Sequence, residues 1–330
     1  MMRIVVGLCA VIALVGCPPA GTGGRGGGGG YGGGGGAAAI SPDACGKIDT
    51  NPVGRKLYNF LVASAELDRA SVDLENSIAG ACRRMNDILG VSSTGTTKEV
   101  CERAAAELDA NLKVSVKSES RLVTRHTPAV CTTDVDFEAG VVASCEARAV
   151  ADVNVTCDGR CTGTCDGTCS GGTSSGGQCN GTCNGRCKGG CDGYARVDAS
   201  AECRASAEIR AVTRTTCTEP KVEIVRENVT VVDDSKFQKA VAAIEAGMPA
   251  ILRAGAKLEI AAKALGYWAQ TGASLVKSTG ELVGQLGEKG ICVGGQLAAV
   301  LAASANIQAR FSVSIEVSAQ VSASAGASGQ

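Results

Sequence analysis

The central third of the chain contains, at residues 157–191, the stretch CDGRCTGTCDGTCSGGTSSGGQCNGTCNGRCKGGC, in which cysteines recur every four residues on either side of a cysteine-free tip. Two further cysteines flank this stretch on each side, and the twelve form six pairs whose residue numbers sum to 348. These pairs are Cys131 and Cys217, Cys145 and Cys203, Cys157 and Cys191, Cys161 and Cys187, Cys165 and Cys183, and Cys169 and Cys179. Because an antiparallel hairpin brings residues of constant sum together, the symmetry predicts six nested disulfides around a turn at Ser174.

The residues between the outer cysteines alternate in polarity. Odd-numbered positions of 131–157 and 191–217 are mostly Ala or Val, and many even-numbered positions are charged, which is typical of a strand. Opposite charges would then face each other across the two arms: Asp134 and Arg214, Glu138 and Arg210, and Asp152 and Arg196. The pattern predicts a long two-stranded antiparallel β-ribbon with a ladder of directly opposed disulfides on one face.

The tip permits two interpretations. Asp-Gly and Asn-Gly dipeptides recur through residues 157–191, and such dipeptides favour turns. This segment is therefore either a straight ladder or a tight, disulfide-stacked coil. In either case we expect the glycines on the cysteine face to leave room for crowded disulfides.

Helical periodicity flanks the predicted ribbon. Asn51-Pro52 is typical of a helix start, Gly90 of a helix end, and Thr96 with Glu99 of a capping box. We predict an α+β fold in which a helical base with long N- and C-terminal helices carries the ribbon. The predicted regions are helical at 45–111, a ribbon at 112–233, helical again to about Gly290 and through a shorter helix at 292–306 (together 234–308), and a strand and tail at 309–330.

Four cysteines of the flanking regions remain: Cys45, Cys82, Cys101 and Cys292. They allow three pairings. We favour Cys82 with Cys101, which would join two adjacent helices, and this leaves Cys45 with Cys292. So many cysteines indicate a disulfide framework formed in an oxidising compartment.

Composition argues against several function classes. The net charge of −1 gives no reason to expect nucleic-acid binding, and 3% aromatic residues provide few stacking surfaces. The single histidine, His126, has no candidate nucleophile near it in the sequence. The mirror symmetry favours disulfides over a metal cluster, and we expect no catalytic residues, metal or cofactor.

The N-terminus carries a short basic and then apolar segment, with Arg3 before an apolar run at residues 4–14. The following Leu14-Val15-Gly16-Cys17 resembles the lipobox of bacterial lipoproteins. The resemblance implies that residues 1–16, including Cys9, are removed and that Cys17 carries acyl (palmitate-type) chains. Pro18 at the next position favours delivery to the outer membrane, and residues 17–44 would form a lipidated, Gly-rich tether. The Cys-x-Gly-x array also resembles uncharacterised Cys/Gly-repeat lipoproteins, and this likeness implies no known activity.

These patterns together indicate a non-enzymatic, lipid-anchored structural or interaction protein of the bacterial envelope, such as a stalk, a spike or an assembly subunit. It would face the periplasm or the cell surface, with a protein partner that the sequence does not identify. The alternative is a membrane-active hairpin of the pore-forming type. We also expect self-association through a flat apolar ribbon face, formed by Ala149, Ala151, Ala199, Ala201 and Ala205.

Overall fold

The computed structural model describes residues 39–115, 121–171, 174–175, 178–227 and 231–326, and it contains both helices and strands. The helices of the described chain are α1 (Pro52–Leu89), α2 (Thr97–Ser115), α3 (Val135–Glu146), α4 (Ala201–Arg214), α5 (Asp234–Lys277), α6 (Thr279–Leu286) and α7 (Glu288–Gly326). Short 3-10 turns lie at Pro42–Cys45 and Val150–Asp152. We call α1, α2, α5, α6 and α7 the helical base.

The strands are short. They are β1 (Arg121–Thr127), β2 (Cys131–Asp134), β3 (Val155–Cys157), β4 (Arg160–Cys161), β5 (Thr164–Ser170), β6 (Ser174–Ser175), β7 (Gln178–Cys179), β8 (Thr182–Lys188), β9 (Gly190–Asp192), β10 (Ala195–Val197), β11 (Thr216–Cys217) and β12 (Lys221–Glu227). We call residues 155–197 the head. The mixed helix and strand content agrees with the predicted α+β class.

The helical base begins where the sequence predicts. The Asn51 side chain accepts a hydrogen bond from the Gly54 backbone N–H at 2.7 Å, and α1 ends at Gly90 in the left-handed conformation. Thr96 and Glu99 exchange the reciprocal hydrogen bonds of a capping box, at 2.8 and 3.3 Å. Helices α1, α2, α5 and α7 pack around one apolar core.

An aromatic pair lies in that core. The rings of Phe60 and Trp268 stack with centroids 6.5 Å apart, and both residues are buried. The indole Nε1–H of Trp268 donates to Ser64 Oγ at 2.9 Å, so that the only polar atom of this large side chain is satisfied. This contact joins α1 to α5.

The predicted C-terminal strand at 309–330 is wrong, because its described part is helical. Helix α7 continues to Gly326, and its buried residues Ile307, Phe311, Ser314 and Val321 follow helical spacing. The local alternation from residue 311 to 317 fits a strand equally well, and packing against α1, α2 and α5 decides between the two. The helical run predicted to end at about Gly290 is interrupted earlier, after Lys277 and again at Gly287, where φ is +59°.

The base of the predicted ribbon exists. Strands β1 and β12 pair antiparallel, with Arg121 opposite Glu227 and Arg125 opposite Glu223. The numbers of the opposed residues sum to 348, as predicted. Cys131 and Cys217 lie directly opposite each other at the same sum. The mirrored arms therefore meet as expected up to the first disulfide.

Beyond that disulfide, the long two-stranded ribbon is wrong. Residues 135–146 and 201–214 form helices α3 and α4, which pack against each other and are joined by the Cys145–Cys203 disulfide. The segment of α4 is rich in alanine, which favours helices and is depleted in strands. The segment of α3 is not, and its helix begins instead at a side-chain cap, Asp134. Because α3 is buried on most of its surface, its apolar residues do not mark a single helical face.

The predicted charge pairs are absent in consequence, as far as the described residues show. Asp134 caps α3 by accepting backbone hydrogen bonds from Asp136 and Phe137, and Arg214 lies 4.2 Å above the Phe137 ring. Arg210 pairs instead with Glu66 of α1, at 3.2 Å.

Thr156, and not Asp152, lies opposite Arg196.

The head has the expected disulfides in an unexpected register. In β5 and β8, Cys165 lies opposite Cys187 and Cys169 opposite Cys183, so that opposed residues sum to 352. The disulfides join Cys157–Cys191, Cys161–Cys187, Cys165–Cys183 and Cys169–Cys179, with Cα atoms 5.6 to 6.0 Å apart. Each bond therefore runs diagonally, to the cysteine four residues before the residue that lies directly opposite.

The head is also hydrogen-bonded on more than one side. Cys161 pairs with Cys191 in strand β9, and its backbone N–H donates to Gly181 on the other side at 2.8 Å. On that same side the Cys179 N–H donates to the Gly163 carbonyl, also at 2.8 Å. A straight two-stranded ladder is wrong for this segment, since a strand of such a ladder has only one neighbour.

The glycines of the head allow backbones to approach. A Cβ at Gly163 would lie 1.9 Å from the Lys188 carbonyl oxygen, and one at Gly159 would lie 1.9 Å from that of Asp192. On the return arm Gly189 and Gly193 have φ of +98° and +130°. Close contact between backbones therefore requires glycine at 159 and 163, and the left-handed backbone conformation favours it at 189 and 193.

The four remaining cysteines form Cys82–Cys101 and Cys45–Cys292, the pairing that the sequence favours. The first joins α1 to α2. The second joins the turn before α1 to α7, across 247 residues of chain.

Candidate functional site

The lipidation site expected at Cys17 lies outside the described residues. Every cysteine of the described chain is in a disulfide, so those residues offer no free thiol for catalysis or metal binding. The described residues also contain no group of three or more His, Cys, Asp or Glu side chains that could hold a metal ion.

A buried polar cluster lies where the head meets the helices. Glu138 of α3 and Glu208 of α4 are 0% and 1% exposed, and Tyr194, just before β10, is 8% exposed. The Arg204 Nε donates to Glu208 Oε1 at 2.7 Å, one helical turn away on α4. We call Glu138, Tyr194, Arg204 and Glu208 the buried cluster.

Among the described residues, three carboxylate oxygens of this cluster find no hydrogen-bond partner: both oxygens of Glu138 and Oε2 of Glu208. A buried carboxylate without partners is costly in its charged form, and such groups generally bind a proton instead. Burial, followed by the nearby Glu208 charge, raises the pKa of Glu138 to about 8. Glu138 is therefore mostly protonated and neutral at pH 7.

Burial also raises the pKa of Glu208, and the neighbouring Tyr194 and Arg204 partly oppose this rise. Burial and the proximity of Glu208 raise the pKa of the Tyr194 hydroxyl above its ordinary value. The Arg204 guanidinium pairs with Glu208 and leaves Glu138 without an ion pair in the described structure. The cluster thus consists of one ion pair beside one proton-carrying acid.

Two cations connect this cluster to α5. The Arg204 guanidinium lies 4.0 Å above the ring of Tyr267, and the Lys263 ammonium lies 5.3 Å from the Tyr194 ring centroid. Lys263 also contacts Asp158 of the head at 3.5 Å. The head is therefore positioned on the base by α4 and by α5 together.

A cleft of about 320 Å³ opens beside Tyr194, lined partly by Asp158, Asp192, Glu259 and Lys263. The Asp192 carboxylate accepts a hydrogen bond from Thr132 Oγ1 at 2.8 Å, and Asp158 contacts Lys263. Since these two acids already have partners, the cleft has no set of free carboxylates that would indicate a cation site.

The predicted ribbon gives no indication of the buried cluster. Within the ribbon interpretation, the even-numbered Glu138, Arg204 and Glu208 belong to the solvent-exposed face. The signal that could have identified part of it is the spacing of Arg204 and Glu208, which is four residues within an alanine-rich segment and typical of a helical ion pair.

One helix of the described chain, Glu288–Ala325, is long and apolar enough to cross a membrane by length and composition. The same helix packs against α1, α2 and α5, as a core helix of a globular protein does. Its composition alone therefore does not assign it to a membrane.

No protein-family model matches this chain, and neither a curated protein nor a solved structure is significantly similar to it.

Proposed function

We propose that this chain is a lipid-anchored, non-enzymatic protein of the bacterial envelope that presents a rigid head to a partner. The observation that carries the proposal is the nested set of six disulfides from Cys131–Cys217 to Cys169–Cys179. The inner four cross-link the head itself, and the outer two join the segments that lead into it. Disulfides at this density are typical of oxidising compartments outside the cytoplasm. The lipobox-like segment ending at Cys17 agrees with export and anchoring at the outer membrane.

The surface of the head supports a role in presentation. Its cysteine side chains form the interior together with apolar residues of α3, whereas Arg160, Asp166, Thr168 and Asn184 are exposed. A polar surface held by covalent bonds loses little conformational entropy when a partner binds. The head is therefore suited to binding or assembly.

The fold lends no support to the alternative of a membrane-active hairpin. That interpretation requires two long amphipathic arms, and helices α3 and α4 occupy the middle of both. Self-association stays a prediction, but the flat face assumed for it does not exist in the described chain. Ala205 is 1% exposed in the core, while Ala149 and Ala151 lie exposed around a 3-10 turn.

Anchoring is tested by Cys17→Ser in the native host, with Cys9→Ser as the matched control. We expect Cys17→Ser to abolish incorporation of a palmitate analogue and to release the protein from membranes or leave it unprocessed. Cys9→Ser should change neither property, because Cys9 lies within the removed segment. A mature, membrane-bound Cys17→Ser protein would contradict the anchoring.

Presentation by the head is tested with a photo-crosslinking amino acid at Thr168, compared with the same group at Lys239. Both positions are exposed, the first on the head and the second on α5. In intact cells we expect a defined crosslinked species from position 168 and none from position 239. Crosslinking from the base alone would assign the interaction surface to the helices instead.

A further inference from the structure

A groove of about 520 Å³ lies on the helical side of the molecule, where α1, the end of α4, α5 and α7 meet. Its volume falls within the roughly 300–1,000 Å³ of small-molecule sites. The groove lies away from the buried cluster, because none of the four residues of that cluster lines it.

The lining is mixed, with apolar residues of α1, α5 and α7 beside the hydroxyl side chains of Ser77, Thr213, Thr215 and Thr216. Leu67, Ala70 and Leu74 of α1 face Ala250 and Ala254 of α5 across it, and these alanine side chains are too short to fill the space. Phe311 of α7 adds an aromatic side chain to the lining. The groove thus offers a surface suited to an alkyl chain.

Two cations lie among these apolar residues. Arg253 and Lys257 lie one turn apart on α5, and both line the groove. Lys257 has no ion pair among the described residues, and Arg253 has only Glu219, at 3.7 Å. The one acid in the lining, Asp73, is exposed and forms no ion pair with either cation in the described structure.

The environment of Lys257 favours a counter-charge. Burial, followed by the Arg253 charge, lowers the pKa of the Lys257 ammonium. A bound anion would offset both effects, and a carboxylate can accept two hydrogen bonds from the guanidinium and one from the ammonium.

We propose that this groove binds a single-chain amphiphile with a carboxylate head group, namely a medium-chain fatty acid. The alkyl chain packs on the alanine and leucine walls, and the carboxylate pairs with Lys257 and Arg253. The proposal does not depend on the envelope function proposed above, because it rests on the groove alone.

The test measures binding of dodecanoate by titration calorimetry, below its micelle-forming concentration. The protein is the full disulfide-bonded chain carrying Cys17→Ser, taken from the fraction that is released from membranes, so that no detergent is needed. We expect saturable binding of one dodecanoate, and an affinity about tenfold lower for Lys257→Met, which keeps the apolar stem and removes the charge. Lys239→Met, an exposed cation on the same helix, should bind as the parent does.

Two further measurements separate charge from shape. Dodecyl alcohol and dodecylammonium should bind at least tenfold more weakly than dodecanoate, and Ala254→Leu should lower dodecanoate affinity by filling the groove. Equal affinity for the three probes, an unchanged affinity in Lys257→Met, or association only with phosphatidylglycerol vesicles would each overturn the proposal.

Discussion

Glu138 is the residue whose replacement most sharply tests the structure of the buried cluster. Glu138→Gln keeps the shape of the protonated side chain and removes its titration. In the folded protein the pKa of Glu138 is about 8, compared with an ordinary value of 4.5. The groups that face it are Glu208 and Arg204 of α4. Tyr194 lies beside Glu208, and the charge of Arg196 also acts on Glu208.

The sign and size of the effect follow from linkage. Between pH 4.5 and pH 8 the unfolded chain releases a proton that the folded protein retains, so this acid contributes full stability below pH 4.5 and loses it as the pH rises to 8. The loss is about 1.4 kcal/mol per pH unit, or roughly 3 kcal/mol at pH 7. Glu138→Gln does not lose this stability, so its advantage over the parent should grow with pH.

The assay is urea unfolding of the oxidised protein at intervals from pH 4.5 to pH 8. We expect the free energies of unfolding of Glu138→Gln and parent to diverge by roughly 3 kcal/mol between pH 4.5 and pH 7. Glu245→Gln, an exposed position on α5, should run parallel to the parent. Parallel curves for Glu138→Gln would refute the assignment of a buried, protonated Glu138.

Two further predictions concern packing and are checked by thermal and urea unfolding. Gly163→Ala should destabilise the head by about 1–3 kcal/mol, because its Cβ would lie 1.9 Å from the Lys188 carbonyl oxygen, whereas Gly140→Ala on α3 meets no atom within 4 Å and should stabilise by about 0.5–1 kcal/mol. A stable Gly163→Ala protein would show that the two backbones do not approach as described. Trp268→Phe removes the hydrogen bond to Ser64 and should cost about 1–3 kcal/mol, and a neutral result would argue against the buried contact between α1 and α5.

The cysteine symmetry predicted the pairing because covalent closure depends only on which chain positions meet. Cys145 and Cys203 meet whether strands or helices precede them, and the constant sum of 348 is compatible with both. For the same reason the symmetry does not predict which residues face each other in the hydrogen-bonded strands. In β5 and β8 the numbers of the facing residues sum to 352.

Periodicity failed where burial is nearly complete. In α3 residues are buried on most sides, so the contrast that usually identifies a helical face is weak. Helix α4 does have a polar side, but its alternation of alanine with charged residues also fits a strand. In α7, the residues from Phe311 to Val317 fit both periods, and only contacts with distant helices decide between them. The buried Glu138 could not be predicted either, because its burial results from packing of segments about 70 residues apart.

The central claim is that the disulfides of the head do not join the residues that lie directly opposite each other in the strands. Disulfide mapping under non-reducing conditions tests this claim most directly. Cleavage after Arg160, Arg186 and Lys188 and before Asp158, Asp166 and Asp192 separates most of the relevant cysteines. We predict that the peptide ending at Cys157 is linked to Gly189-Gly190-Cys191. The peptide from Cys161 to Cys165 should be linked twice, through Cys161 to the dipeptide Cys187-Lys188 and through Cys165 to the peptide that contains Cys183. A link between Cys161 and Cys191, which lie directly opposite in the sheet, or between the neighbours Cys157 and Cys161 would contradict the diagonal bonding.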